Sequence, residues 1–564
     1  MTTPLAHDPR LAALVDTATA LTAPGQPFET VEDVVLGEHV TTFRHRPRSL
    51  RQLLADGSTR YGQSDAYVFD DGQRISFAQL ERLTASLATA LRDQFGVGPG
   101  DRVAICAANS AEWLVTFWAV ASLDAVLVAM NGWWTATEMG NALDLTSPSV
   151  VVMDEKRLAR MDRELDIPTV VVERDMAALL DTPDVPLPDI PIAEDDPFML
   201  IFTSGTTGRP KAATLSHRSV IAYVQLQSFI GARSLHLAGV SPDQVPAGVR
   251  LAPYPLFHVS GVGMAVGTVM SGVRSVWPLG RFDPERVIEL TLREGVTVWG
   301  GGTTHVARLL ASPAIDQVPA AQLRQIGVGG SATTPELLRQ IAARFPHLAG
   351  TTSTGYGSTE TGGLVSWAPN WMLQAVPGCV GPPLPTVEVR ITGDNGQNLP
   401  EGTEGNIEAR SSLTMLGYWH NDTANEQTIR PGRWVVTGDY GRVEDGVLII
   451  ASRRHDLIIR GGENIYPFEI EDRLEEHPDV QEAAVFGVDD PLYGQVVHAV
   501  VVPMAGTAPD PEQLRTFCAT TLASYKVPAH VEVRSEPFPR NATGKVMKHV
   551  LAGDADSAFV ADEG

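Results

Sequence analysis

Nine residues, Thr203-Ser204-Gly205-Thr206-Thr207-Gly208-Arg209-Pro210-Lys211, gather four hydroxyls, two glycines and a lysine directly after the apolar run Phe198–Phe202. Glycines let backbone N–H groups approach an anion, hydroxyls add donors, and lysine adds a compact charge. That inventory suits a polyphosphate. It is not the Walker loop, because Arg209 and Pro210 separate Gly208 from Lys211. Standing alone, such a stretch is a solvated turn after a strand. Three further segments argue for more. Gly355-Tyr356-Gly357-Ser358-Thr359-Glu360 puts a ring, hydroxyls and a carboxylate on a glycine-rich stretch. Its alternative is a capped helix start. A carboxylate of this kind can share a magnesium ion with a nucleotide. Thr437-Gly438-Asp439 places a carboxylate at the expected end of an apolar strand, where it could accept both hydroxyls of a ribose. Pro539 to Lys545 sets a lysine on a glycine-marked loop.

Lysine usage sharpens the selection. Lys and Arg total 43, yet only Lys156, Lys211, Lys526, Lys545 and Lys548 are lysines. Arginine serves elsewhere as the solvated cation, so Lys211 and Lys545 stand out as movable point charges.

The elements that must carry these residues alternate. A helix is expected over Pro9–Thr22 and another over residues 76–94. Short buried strands are expected at 103–106, 125–130, 150–153, 169–172, 296–299 and 325–328. This alternation implies α/β architecture with largely parallel sheets. From about residue 381 to 450, closely spaced glycines and short apolar runs imply antiparallel strands or a barrel, with a hairpin at Asp445-Gly446. The charged knot Ser452–Asp456 divides this region from about a hundred residues of α+β character. The expected division is an N-terminal extension over 1–48, a large domain over 49–452, a hinge at 453–456 and a small domain over 457–564.

With 564 residues, more than one core is required. A hydrophobic fraction of 43% and a charged fraction of 20% describe an ordinary globular chain. The net charge of −24 argues against nonspecific nucleic-acid or anionic-membrane binding. Any anionic substrate must therefore be met by local cations. Cys106, Cys379 and Cys518 are too few and too dispersed for a disulfide framework or a zinc site. The apolar stretch Trp113–Met130 is interrupted by Thr116, Ser122 and Asp124, and reads as a buried helix running into a strand. No basic-then-apolar leader is evident, so a cytoplasmic location with at most peripheral membrane contact is expected, and a homodimer is left open.

In this order and spacing, the segments resemble the adenylate-forming superfamily, within it the acyl-CoA synthetase branch, over roughly residues 50–550. The resemblance implies a large domain of two helix-flanked sheets plus a distorted β-barrel, and a small mobile C-terminal domain. It implies ATP, Mg2+ and coenzyme A, and a small carboxylic acid as substrate. Thr203, Ser204, Gly205, Thr206, Thr207, Gly208 and Lys211 would grip phosphate, and Gly330, Ser331 and Ala332 would line the adenine and acyl site. Tyr356, between Gly355 and Gly357, would stack on adenine. Thr359 would touch phosphate, Glu360 would hold magnesium and Asp439 would bind ribose. Arg453 would contact ribose or phosphate. His455 stands at the pivot, where the family more often has Asp or Lys. Lys545 would serve adenylation, and its setting resembles that of a lysine acetylated in related ligases. Loss of its charge would stop the first half-reaction.

The segment Leu256–Gly263 resembles the entry to an acyl pocket, with His258 either near the carboxylate or capping a helix. Trp299-Gly300-Gly301-Gly302 either empties side-chain volume for a medium-to-long or bulky acid or makes a tight turn. The run Arg460–Pro467, with Gly461 and Gly462, resembles the pantetheine passage of CoA ligases, and Asn131–Thr135 is similar to bacterial fatty-acyl-CoA ligases. The expected activity is acid–CoA ligation through an acyl-AMP. Loading of a carrier protein, an aryl acid as substrate, and a catalytically dead homologue are the alternatives.

Overall fold

A computed structural model describes residues 8–181, 185–203, 210–329, 335–376, 378–453, 456–460, 463–540 and 546–553. Two sheets dominate the first three-quarters of the chain. The first has seven strands, in the order Gly417–Tyr418, Lys211–Ser216, Pro197–Thr203, Val126–Ala129, Arg102–Cys106, Val150–Met153 and Thr169–Val171. Its last five strands are parallel, and Lys211–Ser216 and Gly417–Tyr418 add antiparallel to one side. The parallel strands are continuous apolar runs because helices cover both faces.

The second sheet has eight strands. Ser353–Tyr356, Gln325–Gly329, Val298–Gly302, Arg250–Leu251, Ser275–Trp277 and Asp65–Phe69 run parallel, with Ser366–Pro369 and Arg74–Ser76 antiparallel at the two ends. Helices between the sheets are apolar all round. Ala111–Ser122 is buried along its whole length, which is why it reads as a membrane candidate in sequence. Among the described residues no helix is long and apolar enough to cross a membrane. Tyr67 of the second sheet donates to the carbonyl of Ala265 at 2.9 Å and accepts from Trp118 Nε1 at 3.1 Å, pinning the sheet to helices on its inner face.

Helix starts follow capping chemistry. Ser76 caps Phe77–Phe95 reciprocally with Gln79, and Thr135 caps Ala136–Thr146 with Glu138. The helix Pro9–Thr22 forms as its sequence predicts. The ribbon Thr30–Val35 with Glu38–Phe43, which the sequence reading did not anticipate, follows it and buries Phe43 in the main core. A third sheet, all antiparallel, orders Cys379–Gly381, Val447–Arg453, Trp434–Glu444, Gly405–Ser411 and Val387–Thr392. The fourth, built from residues 458–533, has its own core around Ile470, Leu474, Val485, Val501 and Leu514. The mixed α/β layers agree with the fold class implied by the motifs.

Candidate active site

Thr203 ends one strand of the first sheet and Lys211 begins the next, in direct antiparallel register. Ser204, Gly205, Thr206, Thr207 and Gly208 lie outside the described residues. Lys211 thus starts a strand instead of riding on the loop. Its Nζ stands 5.2 Å from the ring centroid of Tyr418, on the neighbouring edge strand. Tyr418 also hydrogen-bonds the Thr203 side chain, and its hydroxyl donates to Glu360 Oε1 at 2.9 Å. Burial first, then the Glu360 charge, pushes the phenol well above its ordinary value, so it remains a neutral donor. Tyr418 joins the base of the phosphate-type loop to the acidic residue, and the sequence reading missed it.

Glu360 sits in a tight turn after the strand Ser353–Tyr356, and no helix begins there. Gly363 N donates to Ser358 O at 2.7 Å, Gly362 N to Thr359 O at 3.0 Å, and Met415 N to Glu360 O at 3.0 Å. Close approach dictates the glycines. A Cβ on Gly357 would stand 2.6 Å from the backbone of Gly363, and one on Gly362, at φ +76, 2.1 Å from Leu413 O. Thr359 is buried, while Glu360 keeps accessible surface. A lone carboxylate with one oxygen engaged by Tyr418 suits a hard cation that draws its other ligands from water and phosphate.

Tyr356 donates its hydroxyl to Asp439 Oδ2 at 2.7 Å, across from the second sheet to the third. Asp439 does not end a strand as expected. It lies inside Trp434–Glu444, after Gly438 at φ +80, beside a register shift that turns the strand locally. Arg453 is its cross-strand partner in register, and the Arg453 side chain is outside the described residues.

His258 caps the helix Val259–Ser271, its Nδ1 accepting from Ser260 N at 3.3 Å. Nδ1 is therefore the acceptor, which leaves the proton on Nε2. Burial lowers the ring's pKa to about 4, with Glu360 pulling weakly the other way. Of the two sequence readings of this histidine, the helix cap is the one observed, and the neutral ring keeps its Nε2 proton to donate.

The glycine triplet does not make a turn. Gly300, Gly301 and Gly302 continue the strand Val298–Gly302. Strand alternation divides them. Trp299 packs on the outer face with Leu251, Ile326 and Val328. Gly301 shares that face, where a Cβ would stand 3.2 Å from His305 Cβ. Gly300 and Gly302 face inward, in register with Gly327 and Gly329 of the next strand. A Cβ on Gly300 would meet only Tyr254 and Leu251 O within 4 Å, and one on Gly327 only Trp299 O, so this face of the sheet is a floor almost free of side chains. Tyr223 and Tyr254 stand over it, both raised in pKa mainly by burial, Tyr223 to about 12.

Gly330, Ser331, Ala332, Gly461, Gly462, His455 and Lys545 lie outside the described residues. The neck of the Lys545 segment is described. Arg540 pairs with Val546 in an antiparallel bridge, and Met547 N donates to Pro539 O at 2.9 Å. Arg540 forms an ion pair with Glu482, and Lys548 reaches Glu471 at 2.6 Å. The charge of Arg540 is felt by His305, whose pKa falls to about 4 through burial, then Arg308, then Arg540. His305 lies on the helix Thr303–Ala311, which follows the glycine triplet. Tyr466 donates to Glu404 of the third sheet, forming a second link between the two parts.

Residues 54–419 match the AMP-binding enzyme family, and residues 469–545 match the AMP-binding enzyme C-terminal domain. A feruloyl-CoA synthase of Amycolatopsis is 33% identical over 85% of this chain and 93% of its own length. The long-chain-fatty-acid–CoA ligase FadD13 of Mycobacterium tuberculosis is 30% identical over 89% and 98%. The solved structure of ATP-bound MatB from Rhodopseudomonas palustris superposes with a TM-score of 0.76 at 29% identity, covering 90% of this chain and 98% of that one. With its motifs, its sheets and both segments matched in order, the chain belongs to the family of AMP-binding, adenylate-forming enzymes.

Proposed function

We propose that the chain is an ATP-dependent acid–CoA ligase that makes an acyl-AMP and then an acyl-CoA. One observation supports this above the others. The Tyr418 side chain gathers Thr203, Lys211 and Glu360, two phosphate-type ends and a carboxylate suited to a cation. In this reading Thr203 to Gly208 and Lys211 hold the phosphates, and Thr359 contacts them. Tyr356 faces adenine between Gly355 and Gly357, and Asp439 and Arg453 take the ribose. Gly330, Ser331 and Ala332 line the adenine side, and Gly461 and Gly462 flank the thiol passage. Magnesium on Glu360 would neutralise charge between the phosphates.

The acid's carboxylate oxygen attacks the α-phosphorus, a P–O bond to pyrophosphate breaks, and a mixed anhydride results. Nucleophile and phosphate are both anionic, so donors fixed before the reaction carry the barrier reduction. Nε2–H of His258 steadies the carboxylate, and Lys545 brings a mobile charge to the leaving side. Rotation of residues 457–564 about a hinge at 453–456 then withdraws Lys545 and admits the thiol, whose sulfur displaces AMP from the acyl carbon. The floor suits a bulky or medium-to-long acid, aliphatic or aryl, and a cytoplasmic location and lipid or aromatic-acid metabolism go with that chemistry.

Pyrophosphate release measured across fatty, branched and aryl acids, with and without CoA, tests the reading. Sustained release that requires CoA and yields a thioester is the expected result. One equivalent released regardless of CoA would instead assign a carrier-protein acceptor. No release with any acid would overturn the ligase.

A further inference from the structure

Arg250 opens the short strand Arg250–Leu251, on the same inward face as Ala252 and Tyr254. A Cβ on Gly267 would stand 3.8 Å from Arg250 Nη1 and 3.8 Å from Gln227 Oε1, so the two polar ends converge on one spot. Ser271 Oγ is 3.4 Å from Nη1. Upward from there, Gln227 hydrogen-bonds Tyr223, and the Tyr223 ring reaches Gly363 in the Glu360 turn. A continuous line thus joins the reacting end of the site to Arg250.

This arginine is oddly provided for. A guanidinium has five donors and cannot shed its charge, and burying it without an anion is costly. Among the described residues no carboxylate answers it, and Ser271 is its single side-chain hydrogen-bond partner. Arg274, one strand along, shows the contrast. It meets Asp65 at 3.7 Å and donates to Glu294 O at 2.6 Å. Arg250 lies deep enough for burial to lower its pKa, yet it keeps accessible surface. Both together describe a group that faces a crevice. An aliphatic residue would pack against Val224 there without the desolvation cost.

We propose that Arg250, with Gln227 and Ser271, forms a distal subsite that takes a second carboxylate, carried by the acid at the end opposite the one activated. The proposal rests on the ligase reading and names its substrate class. Nine helical residues separate His258 from Gly267, so the subsite lies about 13 Å below the reacting carboxylate. That is the length of a medium-chain diacid or an elongated aryl diacid. The whole-chain charge of −24 repels a dianion, which makes a cation at the far end the more necessary.

Three acids of matched length, decanoate, 10-hydroxydecanoate and decanedioate, provide the test. For each, pyrophosphate release and the acid-induced rise in unfolding temperature with ATP and magnesium are measured on wild type, Arg250→Leu and Arg250→Lys. Decanedioate is expected to exceed decanoate by at least about tenfold in kcat/KM and to give the largest thermal shift. Arg250→Leu should invert that order, and Arg250→Lys should restore part of it. A wild-type preference for decanoate, equal use of the hydroxy acid and the diacid, or an equal loss on all three acids in Arg250→Leu would each overturn the subsite. The two readings fail separately. Release without any CoA thioester sinks CoA as acceptor and leaves the subsite standing. With no release at all, the thermal shifts still decide whether the diacid is preferred.

Discussion

At Tyr418 one hydroxyl and one ring connect three groups of different chemistry: a threonine, an ammonium and a carboxylate. Removing the hydroxyl should loosen Glu360 while leaving the ring under Lys211. Tyr418→Phe is therefore expected to lower kcat for pyrophosphate release about tenfold and to raise the magnesium concentration needed for half-maximal rate. Its unfolding temperature should change little, and a large fall with an unchanged magnesium dependence would make the residue merely structural. Lys545 makes a separable claim. Lys545→Ala should cut adenylation by more than about a hundredfold yet spare thioester formation from supplied acyl-AMP. Equal loss of both steps would remove the lysine from its assigned role.

The glycine floor argues at the level of elements, because strand alternation gives adjacent glycines opposite duties. Gly300→Val should fill the cleft and shift preference to shorter acids, with stability nearly kept. Gly301→Val pushes into His305 Cβ at 3.2 Å and should cost about 1–3 kcal/mol without changing chain-length preference. An acid panel and thermal denaturation of the two variants separate these outcomes.

The same elements explain what could be read in the chain beforehand. Val150–Met153 and Phe198–Phe202 are legible because strands buried on both faces are apolar without interruption. The helix Phe77–Phe95 is legible because its apolar residues recur at helical spacing. The triplet at 300–302 resisted, because glycine signals a turn unless the neighbouring strand is seen to carry glycines in register. Tyr418 and Arg250 sit on strands of two residues, Gly417–Tyr418 and Arg250–Leu251, too short to show any period. Only pairing across the sheets brings them to the site. Asp439 was misplaced for a related reason: Gly438 at φ +80 looks like a strand end but marks an irregularity within a longer strand.

Across the whole molecule the titrating groups pull in opposite directions. His258 and His305 have pKa values of about 4 in the fold, below the ordinary 6.5. Their contribution to stability is complete above pH 6.5 and is lost as pH falls toward 4. In the C-terminal part, burial with help from neighbouring carboxylates raises Asp472 to about 7 and Glu475 to about 8. An unfolded chain would release those protons near their ordinary values, so this part loses stability as pH rises to about 8 and levels off above. Glu475→Gln should raise the unfolding temperature of the C-terminal part by a few degrees at pH 9, on the order expected for about 1 kcal/mol. The gain should close as pH falls through 8 toward 5, and a gain independent of pH would refute the assignment. Arg540 gives His305 one more property. In the proposed rotation the arginine would move and the imidazole would stay, and the charge of one depresses the proton affinity of the other. A neck that departed in that rotation would leave the ring easier to protonate. The titration of a single imidazole, followed by nuclear magnetic resonance, is then a native gauge of which half-reaction the enzyme is poised for, with no label attached to either domain.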